Sequence, residues 1–480
     1  MFSNNMDDMD SDILINPEEY KISSTEKKKK LVLIIILSIS FLPIGLSIYC
    51  FINYFKETTI IIDDGGNDPK NALYGCMCDA GSSGTRVSVY RWPKRKKNII
   101  PDIAEIARHK TIPGIHRKNE KELEETMNTL IGFCKERIIE SSKNASNLSD
   151  VSFYLRATAG MRSISKEEQK KKLDIIRNVI KKSHLKFLND DWVKVIDGKE
   201  EGLFGWISVN YLNNILRNNE NAEKQIEMPY GSIDLGGYSL EITFSTNETI
   251  KEHNISLNFT QIHYNLYSYS FQDYGQTRFI EILMESIFNS SKSENSTIIA
   301  NPCFLEGYNE TYQFKNINYT FVGKTNITKC QEYIRSIMKI NKENEKEKSM
   351  NNIYQPKIPD NLKFYGISGL YWIANFFFNL TNNNTLENTT HSASEILTAT
   401  DKLCKKKWED ALKDYNISDK KDKENLKKYC SAGYYVYYFL VEGFKIDENK
   451  KLLNFPKTIN GKEPAWTLGA MSYEIGLLPL

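Results

Sequence analysis

At 480 residues the chain is too long for one ordinary hydrophobic core, so two lobes or domains are expected. Lys plus Arg (63) nearly cancels Asp plus Glu (61), which removes the bulk positive charge of a nucleic-acid binder. Oligomeric state is left open by these quantities.

Residues 1–30 are polar, first acidic and then basic, and read as a disordered cytoplasmic tail. Leu31 to Phe55 is a run of 25 residues without a charge. A helix of that length, at about 1.5 Å per residue, spans a hydrocarbon core of about 30 Å with some tilt. Pro43 and Gly45 are tolerated in such a helix. Lys27 to Lys30 stand directly before it. The positive-inside rule therefore keeps the N-terminus cytoplasmic and puts everything after Lys56 in a lumen of the secretory pathway, such as the Golgi, or outside the cell. A cleaved signal peptide fits less well, because the run is long and no small-residue cleavage site follows. Residues 56–71, with Asp63-Asp64-Gly65-Gly66, read as a flexible stalk, and the globular part begins near Leu73.

Strand-like residues flank two glycine-rich turns: Tyr74 to Cys78 and Val87 to Tyr90 around the first, Ile233 and Glu241 to Phe244 around the second. Between the turns, Asn119 to Ser142 has helical spacing, Val151 to Leu155 reads as a strand, and Glu167 to His184 as an amphipathic helix. Trp192 to Ile196 is a further strand, and Asp197 to Tyr211 runs as turn and helix into the second hairpin. Strands alternating with helices predict an α/β architecture. Ser245 to Lys363 is polar and reads as insertion-bearing. Tyr371 to Leu380 and Tyr434 to Phe444 read as aromatic helices, and Pro464 to Ala470 as a turn entering a terminal helix.

About fourteen N-x-S/T sequons follow the apolar run, among them Asn144, Asn254, Asn309, Asn326, Asn379 and Asn416, although abundant asparagine inflates that number. Seven cysteines also follow it. Cys303 with Cys330 and Cys404 with Cys430 suit disulfides in an oxidising compartment, with other connectivities still open. Cys76, Cys78 and Cys134 then remain as buried structural thiols, since no Cys/His pair completes a zinc site with them.

The chemistry concentrates in the turns. Asp79-Ala80-Gly81-Ser82-Ser83-Gly84-Thr85-Arg86 and Asp234-Leu235-Gly236-Gly237-Tyr238-Ser239 lie about 155 residues apart. Glycine admits close backbone approach to a ligand, and successive N–H groups in such a turn form an anion-binding concavity. An aspartate at the entrance repels phosphate unless a divalent cation lies between them. Two such turns therefore suggest two related lobes gripping one metal–polyphosphate complex. A plain hairpin is the simpler reading of either turn alone. A third turn, Arg156 to Arg162, offers the Thr158 hydroxyl, Gly160 and two cations; its simpler reading is a strand-to-helix junction capped by Thr158. Glu200-Glu201-Gly202 and Trp466 acquire meaning only within this ordered set. Neither glycine turn contains a Walker lysine, which separates the chain from P-loop ATPases.

Five segments in this order resemble the signature regions of the apyrase family, the nucleoside triphosphate diphosphohydrolases of the actin-like superfamily. They are DAGSSGTRVSVYRW at 79–92, ATAGMR at 157–162, GKEEGLFGWISVNYL at 198–212, GSIDLGGYSLEITF at 231–244 and WTLGAMSY at 466–473. The resemblance covers roughly residues 73 to 480. It implies two ribonuclease-H-like lobes with a nucleotide cleft between them: residues 72–197 plus 455–480 as lobe I, and 198–454 as lobe II. It also implies hydrolysis of nucleoside tri- and diphosphates to monophosphate. Ser82, Ser83, Gly84, Thr85, Gly236, Gly237 and Ser239 then bind phosphate, with Thr158, Ala159 and Gly160 around the terminal one. Asp79 and Asp234 hold waters on a Ca²⁺ or Mg²⁺ ion, near Trp466. Glu201 is the general base, and Ser239 and Glu241 orient the attacking water. Tyr371 and Tyr435 are the candidates for stacking the base. The chain departs from the family pattern at Tyr238, Glu241 and Gly84. The rival readings are a lumenal diphosphatase selective for UDP or GDP, a phosphotransferase of the same superfamily, and a membrane-tethered nucleotide-binding protein without activity.

Overall fold

Both glycine-rich turns close antiparallel hairpins, and each hairpin lies inside a six-stranded sheet. The computed structural model describes residues 58–61 and 72–477, apart from 95–98, 143–147, 217–227, 260–261, 292–295, 315, 341–346 and 380–388. The first sheet contains β1 (Thr58–Ile61), β2 (Leu73–Ala80), β3 (Thr85–Trp92), β4 (Ala104–Thr111), β5 (Ser152–Ala157) and β6 (Val193–Val195). Their order is β1-β4-β3-β2-β5-β6. The pairings from β1 to β2 are antiparallel, and those from β2 through β5 to β6 are parallel.

The second half begins with β7 (Gly231–Leu235), β8 (Ser239–Ser245), β9 (Asn254–Phe259) and β10 (Ile262–Gln272). Strands β11 (Ile298–Asn301), β12 (Asn309–Phe314) and β13 (Ile317–Gly323) form a small separate sheet. With β14 (Phe364–Ser368) and β15 (Leu453–Asn454), the second large sheet has the order β15-β14-β7-β8-β10-β9. Here β10, β8 and β7 pair antiparallel, and β7, β14 and β15 pair parallel. Five strands of each sheet thus share one topology, β4-β3-β2-β5-β6 in the first and β10-β8-β7-β14-β15 in the second. The aspartate-led turn occupies the same place in both.

Helices α1 (Glu120–Ser142), α2 (Ala159–Arg162) and α3 (Lys166–Lys182) belong to the first half. The apolar stripe of α1, including Leu123, Met127, Leu130 and Cys134, packs with Cys76, Val87 and Phe153 into one core. Helix α4 (Gly198–Leu212) opens with a capping box, Asp197 accepting from the Glu200 amide and Glu200 answering at the Asp197 amide. Beyond its first turn it is buried all round. The second half adds α5 (Gln276–Ser291), α6 (Ile327–Met338), α7 (Gly369–Asn379), α8 (Ala393–Cys404), α9 (Trp408–Asp414) and α10 (Lys420–Tyr438) around its own core. The final described helix is α11 (Trp466–Leu477).

A third core joins the halves. Helix α4 lies on β7, β8 and β10, and α11 lies between α4 and β2. Met77, Tyr90, Trp206, Leu266 and Met471 fill the space. The two helices approach so closely that a Cβ at Gly469 would collide with the Phe204 carbonyl.

The sequence-based elements recur with small shifts, and three differences stand out. Residues 58–61 of the expected stalk form an edge strand on β4 rather than a free tether. The aromatic stretch after Tyr434 ends α10 and then widens into a π turn over Phe439–Gly443. The polar region after Ser245 supplies two strands of the second sheet as well as the small sheet. Both disulfides form between the expected partners, Cys303–Cys330 and Cys404–Cys430, while Cys76, Cys78 and Cys134 are buried and free. Among the described residues no helix is long and apolar enough to cross a membrane, and the apolar run at 31–55 lies outside them. Of the six sequons named above, Asn254, Asn309, Asn326 and Asn416 are exposed; Asn144 and the side chain of Asn379 lie outside the description.

Candidate active site

One cleft of about 270 Å³ opens between the two hairpin turns. Asp79, Ser82, Ser83, Thr158 and Ala159 line it from the first half, and Glu201, Asp234, Gly236, Gly237 and Ser239 from the second. Trp466 and Tyr371 complete its walls. The equivalent topology of the sheets explains the convergence: each turn caps the same strand pair, and the two pairs face one another across α4 and α11.

Each turn is braced from behind. The Thr158 amide donates to the Ala80 carbonyl at 3.2 Å, tying the third turn to the first. Thr158 precedes α2 but makes no side-chain cap, so its simpler capping role is not taken up, and it lines the cleft. On the other side, the amides of Gln276 and Thr277 donate to the Gly236 and Gly237 carbonyls, both at 2.9 Å.

Glu201 stands in the first turn of α4 and is 8% exposed. Both terminal nitrogens of Arg162 donate to its Oε2 at 3.1 Å. Arg162 also reaches the Ser239 hydroxyl at 3.5 Å and, through Nε, Gln272 at 3.3 Å. Burial pushes the Glu201 carboxyl up to about 7; Arg162 pulls it down and Asp234 adds to the rise. Burial also pushes Asp234 up to about 6, with a hydrogen bond to Ser368 drawing it down and Asp79 raising it further. Ser368 itself holds φ at +58°, a left-handed conformation uncommon for serine.

Five sequence-based site residues are placed elsewhere. Glu241 lies opposite Asp234 on β8, accepts from the Ser270 hydroxyl at 2.7 Å, and sits behind the cleft wall rather than on it. Burial, then Glu201 and Asp234, raise its carboxyl well above the carboxylate range. Tyr435 is in the core: it stacks on Phe279 with 3.7 Å between ring centroids, and its hydroxyl donates to the Tyr274 carbonyl. An aromatic helix looks alike from sequence whichever face is buried. Gly84 turns toward β4, where a Cβ would lie 2.7 Å from the Thr111 carbonyl, and Thr85 is fully buried. Gly160 packs behind Ser82, with His116 Nδ1 only 2.8 Å from the position of a Cβ.

The chain matches known proteins in sequence and in fold. The model of the GDA1/CD39 (nucleoside phosphatase) family fits residues 66–479. The chain belongs to that family. It is similar to the mouse ectonucleoside triphosphate diphosphohydrolase 3, with 26% identity over 84% of this chain and 78% of that one. A probable apyrase 3 of Arabidopsis thaliana is 28% identical over 84% of this chain and 82% of its own length. The nucleoside-diphosphatase mig-23 of Caenorhabditis elegans is 26% identical over 92% and 83%. The crystal structure of nucleoside triphosphate hydrolases from Neospora caninum shares the fold, with a TM-score of 0.63 at 14% identity, covering 94% of this chain and 97% of that one. The chain is accordingly a nucleoside phosphatase that hydrolyses nucleoside tri- or diphosphates.

Within this phosphatase, sequence reasoning missed Arg162, Gln276, Thr277, Ser368 and Trp372. Arg162 was visible only as one of two cations in the third turn. Its partner Glu201 is 39 residues away, so no local spacing announces the pair. The other cation, Arg156, is spent on Glu474 and on the Asp191 and Trp192 carbonyls. Trp372 lines the cleft beside Tyr371, their rings 4.9 Å apart.

Proposed function

We propose that this phosphatase removes terminal phosphates from both nucleoside triphosphates and diphosphates, with a divalent cation and an activated water. The observation that carries the reading is a buried carboxylate, Glu201, facing two glycine-rich turns across one cleft. Asp79 and Asp234 suit a hard cation, since they present carboxylate oxygens at one cleft and burial, with Asp79 beside it, raises Asp234 toward neutrality. Among the described residues no three His, Cys, Asp or Glu side chains converge on one point, which favours attachment through water. A Ca²⁺ or Mg²⁺ ion held there, near Trp466, would stabilise negative charge on the phosphate tail.

The remaining work falls to the chain itself. Backbone N–H groups of Ser82, Ser83 and Gly237, with the Thr158 hydroxyl, receive the phosphoryl oxygens, while the Gly236 N–H closes its own turn on the Ser239 carbonyl at 3.0 Å. Glu201 takes the proton from the attacking water, and Arg162 holds its Oε2 so that the other oxygen remains for that proton. Ser239 orients the water. Glu241, whose carboxyl burial keeps neutral, supports the strand that carries Ser239. The loose transition state of phosphoryl transfer makes such positioning the main source of rate. Tyr371, with Trp372, stacks the base, which tolerates different bases because every base has a flat face.

The repeated sheet topology supports two actin-like, ribonuclease-H-like lobes. Two disulfides and four exposed sequon asparagines support a glycosylated domain in the secretory lumen or outside the cell, tethered by the single span at 31–55. The test is phosphate release by the purified chain from ATP, ADP, UDP and GDP, each with and without EDTA. Release from tri- and diphosphates alike, abolished by chelation, supports the reading. Release from UDP and GDP alone replaces it with the selective diphosphatase.

A further inference from the structure

We propose that the domain is held with the cleft end of its first sheet toward the bilayer, so that nucleotide reaches the active site through the layer of solvent next to the lipid headgroups. This rests on the single span proposed at 31–55 and adds which end of the domain faces the lipid. The register of the first sheet sets the orientation. Thr58, the first described residue, pairs with Lys110 on β4. Lys110 pairs with Arg86 on β3, and Arg86 with Asp79 on β2. One row across four strands thus joins the start of β1 to the aspartate that opens the first phosphate turn. Neighbouring strands stand about 4.8 Å apart, so the row is about 14 Å long.

Strand β1 runs away from that row, because Ile61 is level with Ala107. The chain therefore enters the domain from the cleft end. The apolar run ends at Phe55, and Lys56 and Glu57 alone separate it from Thr58. Three residue steps reach about 11 Å at most. A bilayer crossed by residues 31–55 then ends within about 25 Å of Asp79. The entry point is also continuous with the phosphate turn. A Cβ at Gly84 would stand 2.7 Å from the Thr111 carbonyl and 3.0 Å from Cε of Lys110, the residue that pairs with Thr58.

The opposite end of the sheet carries the exposed apolar residues that could otherwise be taken for a lipid contact. Leu73 opens β2 about 20 Å before Asp79 and is 41% exposed. Leu188, 65% exposed, follows Lys186, which bridges to Ser152 at the start of β5. Both lie beyond the row that the short tether reaches. Charge at the lipid surface gives the orientation a functional consequence. An anionic leaflet repels an anionic nucleotide, over about 8 Å at 0.15 M salt and about 30 Å at 0.01 M. A cleft on the bilayer side falls within the longer range.

The test uses the full chain inserted in vesicles whose lipid carries an acceptor dye. A donor dye is placed on Lys121→Cys, at the cleft end of α1, or on Leu188→Cys, each in a Cys50→Ser background; both positions are exposed. Helix α1 alone is about 35 Å long, which separates the two heights. Transfer is expected to be strong from position 121 and weak from 188. A Gly/Ser spacer of about 20 residues between Glu57 and Thr58 adds about 25 Å of slack and should erase the difference. At 0.01 M salt the KM for ATP should be roughly two- to fivefold higher in phosphatidylserine vesicles than in phosphatidylcholine ones, and the excess should vanish at 0.15 M. Equal transfer, stronger transfer from position 188, a difference that survives the spacer, or a KM blind to lipid charge at low salt overturns the inference. Alkaline carbonate extraction tests the span by itself. Release of the chain removes the span and this orientation together, whereas retention with equal transfer removes the orientation alone.

Discussion

The two aspartate-led turns occupy the same place in matching sheets, yet the first aspartate faces a basic residue and the second an acidic one. Asp79 faces Arg86 on β3, and the two pair at 3.4 Å. Asp234 faces Glu241 on β8, and Glu201 adds a third carboxylate. The first half therefore balances its own charge, whereas the second gathers buried acidic groups that Arg162, reaching in from the first half, relieves only in part. One scaffold thus serves as a settled wall on one side and as the reactive wall on the other.

This asymmetry can be broken at several points. Glu201→Gln is expected to fold and bind nucleotide while phosphate release falls by about 10²–10⁴-fold. Turnover near that of the wild type would take the base role away from Glu201. Stability should divide along the same line, because both disulfides lie in the second half. Cys404→Ala should cost about 2–5 kcal/mol in denaturant unfolding. Native alkylation followed by mass spectrometry should leave the buried Cys76, Cys78 and Cys134 unmodified.

The aspartates themselves provide a direct contrast. Asp234→Asn should weaken Ca²⁺ affinity by roughly ten- to hundredfold, and Asp79→Asn by less. Calcium titration of activity measures both, and equal losses would erase the distinction drawn between the turns. The smallest effect is a shift in pH dependence. Glu201 must be deprotonated to accept a proton, so activity should fall as pH drops through about 7. Arg162→Ala removes the cation that lowers this value and should move the fall to higher pH by about a unit or more. Glu241→Gln replaces a carboxyl that burial already holds protonated near pH 7 and should leave the fall nearly in place. A large shift in Glu241→Gln, or none in Arg162→Ala, would contradict the assignment of charges around the base.

The hairpins, the α/β alternation and both disulfides could be read from the chain, because Gly/Ser turns, Asp at the turn entrance and paired cysteine spacings are local signals. The cleft residues Asp79, Ser82, Thr158, Glu201, Asp234 and Ser239 fall among these signals and do converge. Information that depends on packing was lost. Tyr435 and Tyr371 sit on similar aromatic helices, and only the folded core shows that the first is buried against Phe279. Glu241 shares a face of β8 with Ser239 and stands opposite Asp234, yet it is buried against the helix that carries Glu201 and does not line the cleft. Strand β12 alternates exposed and half-buried residues before Phe314, so its pattern is faint in a polar segment. Arg162 joins Glu201 through tertiary structure alone.

The place of α11 has a consequence for how the enzyme comes into being. This helix supports α4, and α4 carries Glu201. Among the described elements α11 is the last to leave the ribosome. Until it docks, α4 rests on its sheet alone, with the other face of the helix that carries the proton acceptor uncovered. Competence is thereby coupled to the docking of α11.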